Sequence, residues 1–320
     1  MSFIKVPKLT LSNGREIPVV GLGTWKTKPN EIPSTIKKAL KIGYRHFDCA
    51  PVYNNLKELG KSLDQAIDKN VVTRRDLFIT CKLWNTFHRP DSVEIAIKQS
   101  LSDLRTSYID LYLMHWPMAY KEGEKFIPLD SRGNVEFSSV HFVDTWKAME
   151  VLVQRNLAKS IGVCNFNKRQ IEKIIQSAKI PPVINQVECH PFLNQENLWH
   201  FCNSHNITIT CNNPLALPER FVPDLEQANL LDTPLLYKIG RRYRKTAAQV
   251  VLKYQLQRRN VVIPRTTHGD QLHENLNLFD FEMDEDEMAA MGTLNKNLRY
   301  IQSIRKNDSK HPEYPFKDPF

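Results

Sequence analysis

No run of apolar residues in this chain approaches the ~18 needed to cross a bilayer, and the opening MSFIKVPKLT lacks the apolar core of a secretory leader. A cytoplasmic protein without membrane contact is the expectation. Metal-site spacing is missing too. The six cysteines (Cys49, Cys81, Cys164, Cys189, Cys202 and Cys211) form no CxxC pair, and several fall inside apolar stretches, so reduced, mostly buried thiols and no metal are expected. There is no Gly/Ser linker, low-complexity tract or compositional break, which reads as one domain over 1–320. Charge is unbalanced, with 44 Lys and Arg against 35 Asp and Glu and a formal charge of +9. Such an excess suits nucleic acid, an anionic small molecule or nothing in particular. The densest basic run, Arg241-Arg242-Tyr243-Arg244-Lys245, has no interleaved aromatic platform or zinc spacing, so a solvated helix face is favoured and no nucleic-acid partner is expected.

What the chain does have is alternation. After a hairpin turning at Asn13-Gly14 come eight short apolar or β-branched segments: VVGLGTW, HFDCA, LFITCKLW, YIDLYLMHW, KSIGVCNF, VINQVEC, ITITCNNP and VVIPRT. Between most of them lie amphipathic patterns such as SVEIAIKQSLSDL, DTWKAMEVLVQRN and RQIEKIIQSAKI, with apolar residues at helical spacing. Strand-helix alternation implies parallel pairing, and eight units in about 300 residues fit a closed (β/α)8 TIM barrel with an N-terminal β-hairpin and a C-terminal specificity loop. A doubly wound sheet is the runner-up. It would place a GxGxxG loop after its first strand, and none is there.

Active sites of such barrels form where the strands end. Strand two ends at Asp48, with Tyr53 in the loop behind it; strand three ends near Lys82 and strand four at His115. Singly, each has a plain structural reading as a salt bridge, a rim aromatic or a packed histidine. Together they carry chemistry. A phenol has a pKa of ~10, a neighbouring ammonium favours phenolate and lowers that value, and a carboxylate would hold the ammonium in place. A phenol so tuned is a general acid able to protonate a carbonyl oxygen.

On these residues the chain resembles the aldo-keto reductases, and among them the aldose reductase and aldehyde reductase group. GYRHFDCAPVY, CKLWN, LYLMHWP, IGVCNFN, NQVECHP, VVIPRT and HEN follow the family's order and spacing, down to a tail ending HPEYPF. The resemblance implies an NADP-dependent enzyme of the alcohol dehydrogenase (NADP+) or aldose reductase type, with Asp48, Tyr53, Lys82 and His115 as its tetrad. Tyr53 would donate the proton, Lys82 would lower its pKa, and His115 would orient the carbonyl. It also implies NADPH/NADP+ stretched across the barrel mouth. Gly23, Thr24, Trp25 and Asp48 would line the nicotinamide end, and Asn165 and Gln186 would hold the carboxamide with Cys164, Asn212, Asn213 and Leu215 nearby. Arg265, Thr266, Thr267 and Gln271 would meet the 2′-phosphate, and Glu274 and Asn275 the adenine. Glu219 would close a belt toward Lys26 and Arg265. Trp25, Val52, Trp84, His115, Trp116 and Phe126 would line an apolar pocket for a small-molecule carbonyl in a monomeric enzyme. Specificity is expected in three segments, around 118–140, 217–233 and from about 298 onward.

Departures from the family pattern cluster at the cofactor. Asn212 and Asn213 stand where tyrosine and serine are usual, so the ring that stacks on nicotinamide is missing; Cys164 replaces a serine, Gln271 an arginine and Arg265 a lysine. Leu56 replaces a glutamate, which we expect to matter for the fold alone. These changes keep open an alternative in which the chain is a binding or structural protein of this fold with weak residual reductase activity.

Overall fold

The computed structural model describes residues 3–216, 229–302 and 307–318. Lys8–Thr10 (β1) and Glu16–Pro18 (β2) form the expected hairpin. Then come β3 (Leu22–Gly23), α1 (Ile32–Ile42), β4 (His46–Asp48), α2 (Leu56–Asp68), β5 (Phe78–Leu83), α3 (Pro90–Leu104) and β6 (Ile109–Met114). These are followed by α4 (Phe142–Gln154), β7 (Ala158–Cys164), α5 (Lys168–Ser177), β8 (Ile184–Glu188), α6 (Glu196–Ser204) and β9 (Thr208–Asn212). Two helices, α7 (Pro234–Tyr243) and α8 (Ala247–Gln257), lead to β10 (Val261–Val262), α9 (Gly269–Leu276) and α10 (Glu285–Gly292).

Strands β3 to β10 lie side by side in chain order, all parallel. The two edges then meet. Val20 bridges Val262 in parallel, Gly21 N–H donates to Val262 O at 2.8 Å, and Val262 N–H donates to Val19 O at 3.0 Å. The sheet is therefore a closed (β/α)8 barrel, as expected. Two strands are shorter than the apolar segments suggested. β10 stops before Pro264, which has no N–H to extend a ladder, and at β3 the seam approaches so closely that a Cβ on Gly23 would meet Ile263 O at 2.9 Å.

Helix boundaries follow local chemistry. Asn167 and Gln170 cap α5 reciprocally, as do Thr246 and Gln249 at α8 and Asp284 and Glu287 at α10. Helix α1 ends at Gly43, whose φ of 131° and contact with Ile4 O leave no room for a side chain. The main core lies between barrel and helices, where Phe47, Ile79, Tyr112 and Ile161 meet Leu59, Ile97, Trp146 and Ile171. Leu11 and Ile17 of the hairpin pack with Phe78, Leu111, Ile184 and Val261 and plug the N-terminal end. The opposite end is left for chemistry. All six cysteines are buried and free, and Leu56 is a core residue at the start of α2. No helix among the described residues is long and apolar enough to cross a membrane.

Candidate active site

Asp48 is the last residue of β4, and Lys82 stands two residues beyond its register partner Thr80 on β5, so both side chains face the same way. Parallel pairing thus sets an acid beside an amine, and the Lys82 Nζ–Asp48 Oδ1 separation is 2.5 Å with both side chains almost fully buried. A short turn after β4 brings Tyr53 back over the same strand ends, and Lys82 Nζ reaches its hydroxyl at 3.2 Å. Burial disfavours the Lys82 ammonium, but Asp48 and Tyr53 outweigh it and hold its pKa above the usual lysine value. At Tyr53 the balance runs against expectation. Desolvation by burial is the largest effect and raises the phenol's pKa above its ordinary value; Lys82 opposes that rise without reversing it.

His115 follows β6 and faces Tyr53 edge-on, with ring centroids 6.0 Å apart. Its backbone is fixed on both sides, its N–H donating to Leu83 O at 3.1 Å and its carbonyl accepting from Asn165 Nδ2 at 3.1 Å. Burial first, and then Lys82, push its pKa well below the usual histidine value, so the ring is neutral near pH 7. Its Nδ1 is buried and has no hydrogen-bond partner among the described residues.

The residues expected at the nicotinamide end are gathered at the same mouth, several of them bonded to one another. Thr24 caps the Asp48 carbonyl through its hydroxyl at 2.9 Å. Gln186 donates to Asp48 Oδ2 at 2.7 Å and accepts from the Cys164 thiol at 3.7 Å; burial raises that thiol to about 12 despite the opposing charge of Lys82. Asn165 holds a left-handed turn with φ of 62° and donates to Cys164 Sγ at 3.4 Å. Asn212 ends β9, and its Oδ1 is buried without a hydrogen-bond partner among the described residues. Asn213, in the left-handed region at φ 45°, turns instead to Glu188, and Leu215 packs against the core behind. These groups fit an amide-bearing ring: amides sit at adjoining strand ends, one with an unpartnered acceptor.

The far end is looser. Arg265 is exposed and Thr267 half-buried. The Thr266 hydroxyl donates to Gln271 Oε1 at 2.5 Å and accepts from His268 N–H at 3.1 Å, which ties Gln271 to the entry of α9. Glu274 accepts from the Thr246 hydroxyl at 2.5 Å, and Asn275 is buried. Trp25 is 36% exposed, with the Lys26 ammonium 4.9 Å above its ring. Glu219 lies outside the described residues.

Above His115 stands an apolar wall. Trp84 and Trp116 are buried with Met118 and Tyr120, and Val52 and Phe126 pack against them. Trp84 lies edge-on to His115 at 5.2 Å and donates its Nε1–H to Phe126 O. The tail completes the wall: Phe316 meets Trp116 at 5.8 Å, and Tyr120 donates to Asp308 at 2.8 Å. These tail contacts, and Glu188 at the end of β8, were missed from sequence. Glu188 carries the signal that disclosed Asp48, an acid closing an apolar strand. Two cations of the basic run at the end of α7 are paired: Arg242 contacts Asp284 and Glu287, and Lys245 contacts Asp280.

Comparison with known proteins agrees with this geometry. The model of the aldo/keto reductase family matches residues 19–296. An aldo-keto reductase family 1 member A1 of Gallus gallus is 42% identical over 320 residues, covering 98% of each chain; one named A1-A of Danio rerio is 44% identical over 321 residues, covering 98% of this chain and 99% of its own. The solved aldose reductase of Schistosoma japonicum superposes with a TM-score of 0.92 at 42% identity, over 98% of this chain and all of that one. Matched along nearly its whole length in both sequence and fold, the chain belongs to the aldo/keto reductase family and is an enzyme of that family.

Proposed function

We propose that the enzyme reduces aldehydes and ketones to alcohols with NADPH, and that Tyr53 is the proton donor. The observation that carries this reading is the bonded series Asp48–Lys82–Tyr53 at the mouth of the barrel, with a neutral His115 beside it. When bound, the reduced nicotinamide supplies the hydride; Asn165, Gln186 and Asn212 would hold its carboxamide end, and Arg265 and Thr266 the 2′-phosphate.

The chain's own groups do the rest. His115 donates a ring N–H to the carbonyl oxygen and fixes its direction. Tyr53, kept protonated by desolvation, transfers its proton to that oxygen as the carbon becomes an alcohol carbon. The phenolate left behind sits 3.2 Å from the Lys82 ammonium, which stabilises it until solvent returns the proton. Asp48 keeps that ammonium charged and in place. Lys82 is therefore best understood as supporting the product state of the proton transfer, since it does not acidify the resting phenol below its normal value. The tryptophan wall suits aromatic and aliphatic carbonyls, with polar contact confined to the oxygen.

In this reading the chain works as a single domain and a monomer in the cytoplasm. The test is consumption of NADPH by purified protein with an aromatic aldehyde, run beside NADH. Turnover with both, and a modest preference for NADPH because Gln271 is uncharged, is the expected result. Tight NADPH binding without turnover would point instead to a binding protein of this fold.

A further inference from the structure

Glu188 is a buried carboxylate at the barrel mouth with both oxygens hydrogen-bonded, and the mechanism above makes no use of it. It ends β8 and is 1% exposed. Oε1 accepts from His190 Nε2 at 3.0 Å, from Tyr300 N–H at 3.1 Å and from Asn213 Nδ2 at 3.4 Å, while Oε2 accepts from Ile301 N–H at 2.8 Å. Burial alone would raise its pKa, but the bond to His190 and the charges around it outweigh burial and hold it below the usual glutamate value. Charge-assisted bonds to a desolvated carboxylate are the stronger kind.

Its partners come from two separate regions. Tyr300 and Ile301 belong to the tail; Ile301 packs into the cluster of Trp84 and Trp116, and the neighbouring Arg299 lies 4.0 Å from the Phe316 ring that meets Trp116. Asn213 follows Asn212 at the end of β9, on the nicotinamide side. One buried carboxylate therefore grips the segment that walls the carbonyl pocket and the turn that lines the cofactor.

We propose that Glu188 is a positioning residue that couples the two: occupancy of the cofactor site, felt at Asn213, fixes the tail against the carbonyl pocket through the shared carboxylate. This rests on the proposed NADPH-dependent reading. The proposal concerns no new reacting atom. It predicts that the tail holds more firmly, and large apolar carbonyls bind more tightly, once the dinucleotide is in place. Small carbonyls that do not reach the tail are indifferent to it.

The test is amide hydrogen exchange at Tyr300 and Ile301 in full-length protein, with and without saturating NADP+, in the wild type, Glu188→Gln and Asn213→Gly. Glycine keeps the left-handed turn while removing the amide. Expected are slower exchange on adding NADP+ in the wild type, fast and NADP+-insensitive exchange in Glu188→Gln, and wild-type exchange without NADP+ but a lost response to it in Asn213→Gly. Steady-state kinetics should show KM for a bulky aromatic aldehyde raised roughly tenfold in Glu188→Gln, with KM for a short aliphatic aldehyde nearly unchanged. Wild-type NADP+ binding that leaves tail exchange unaltered overturns the coupling alone. Absence of dinucleotide binding in the wild type overturns the functional reading and the coupling with it. Should Glu188→Gln fail to fold, Asn213→Gly decides by itself: a retained response to NADP+ is against the proposal.

Discussion

The two ends of the candidate site are made of different material. At the chemical end, Asp48 and Lys82 are locked on adjacent parallel strands, 2.5 Å apart and nearly without solvent. At the end proposed for the 2′-phosphate, Arg265 is exposed on the connection between β10 and α9, and Gln271 in the first turn of α9 is bonded to Thr266. The departures from the family pattern sort the same way: none falls on Asp48, Tyr53, Lys82 or His115, and most fall on residues proposed to hold the dinucleotide. A buried, strand-borne ion pair tolerates the loss of one member poorly, because that leaves an uncompensated buried charge. An exposed cation works in water, where a lost contact costs little.

Substitutions at the chemical end should therefore be severe and those at the phosphate end mild. The largest effect is expected from Tyr53→Phe, which should lower kcat by ~10²–10⁴, the usual contribution of a general acid, with NADPH dissociation nearly unchanged; comparable turnover would remove Tyr53 from its role. Lys82→Met should lose turnover to a similar degree and also destabilise the fold by about 3–5 kcal/mol, since Asp48 would stay buried and unpaired. Denaturant melts read the second effect, and a variant as stable as the wild type would show that the pair is less buried than its geometry indicates.

Smaller changes follow toward the cofactor. Asn212→Tyr should tighten NADPH and NADH alike by roughly threefold to tenfold, because a stacked aromatic pair adds about 0.5–1.5 kcal/mol. Fluorescence quenching measures this directly. Weaker binding would mean that the buried, unpartnered Oδ1 of Asn212 already serves the carboxamide. The smallest effect is expected from Gln271→Arg: NADPH should tighten by up to about fivefold, the scale of an exposed ion pair of 0.2–1 kcal/mol, and NADH should not change. Equal tightening of both would place residue 271 away from the 2′-phosphate.

The fold and the convergence of Asp48, Tyr53, Lys82 and His115 were both legible in sequence, for a local reason. Asp48 and Lys82 lie at the ends of apolar strands and His115 directly follows one, so their convergence needs only the parallel register. What stayed hidden depends on partners far along the chain. Arg242 reads as part of a free basic face, yet its acids lie on and before α10. Gln186 matches a carboxamide holder but donates to Asp48, a contact across the barrel mouth. The rise at Tyr53 was hidden for another reason: a neighbouring lysine can be named from sequence, whereas the extent of desolvation depends on what covers the hydroxyl.

The seam between Val20 and Val262 also has a bearing on biosynthesis. The strands that close the barrel lie at Val20 and Val262 of a 320-residue chain, so the ring cannot shut until the last of them has left the ribosome. Until then β3 and β9 are open edges, the kind of unpaired backbone that invites pairing with other chains. Contacts so distant in sequence also form slowly, because loop closure must precede any gain from them. A chain stalled or truncated before Val261 would keep most of its helices and strands and yet expose both edges, making it a natural client for chaperones and a candidate for aggregation.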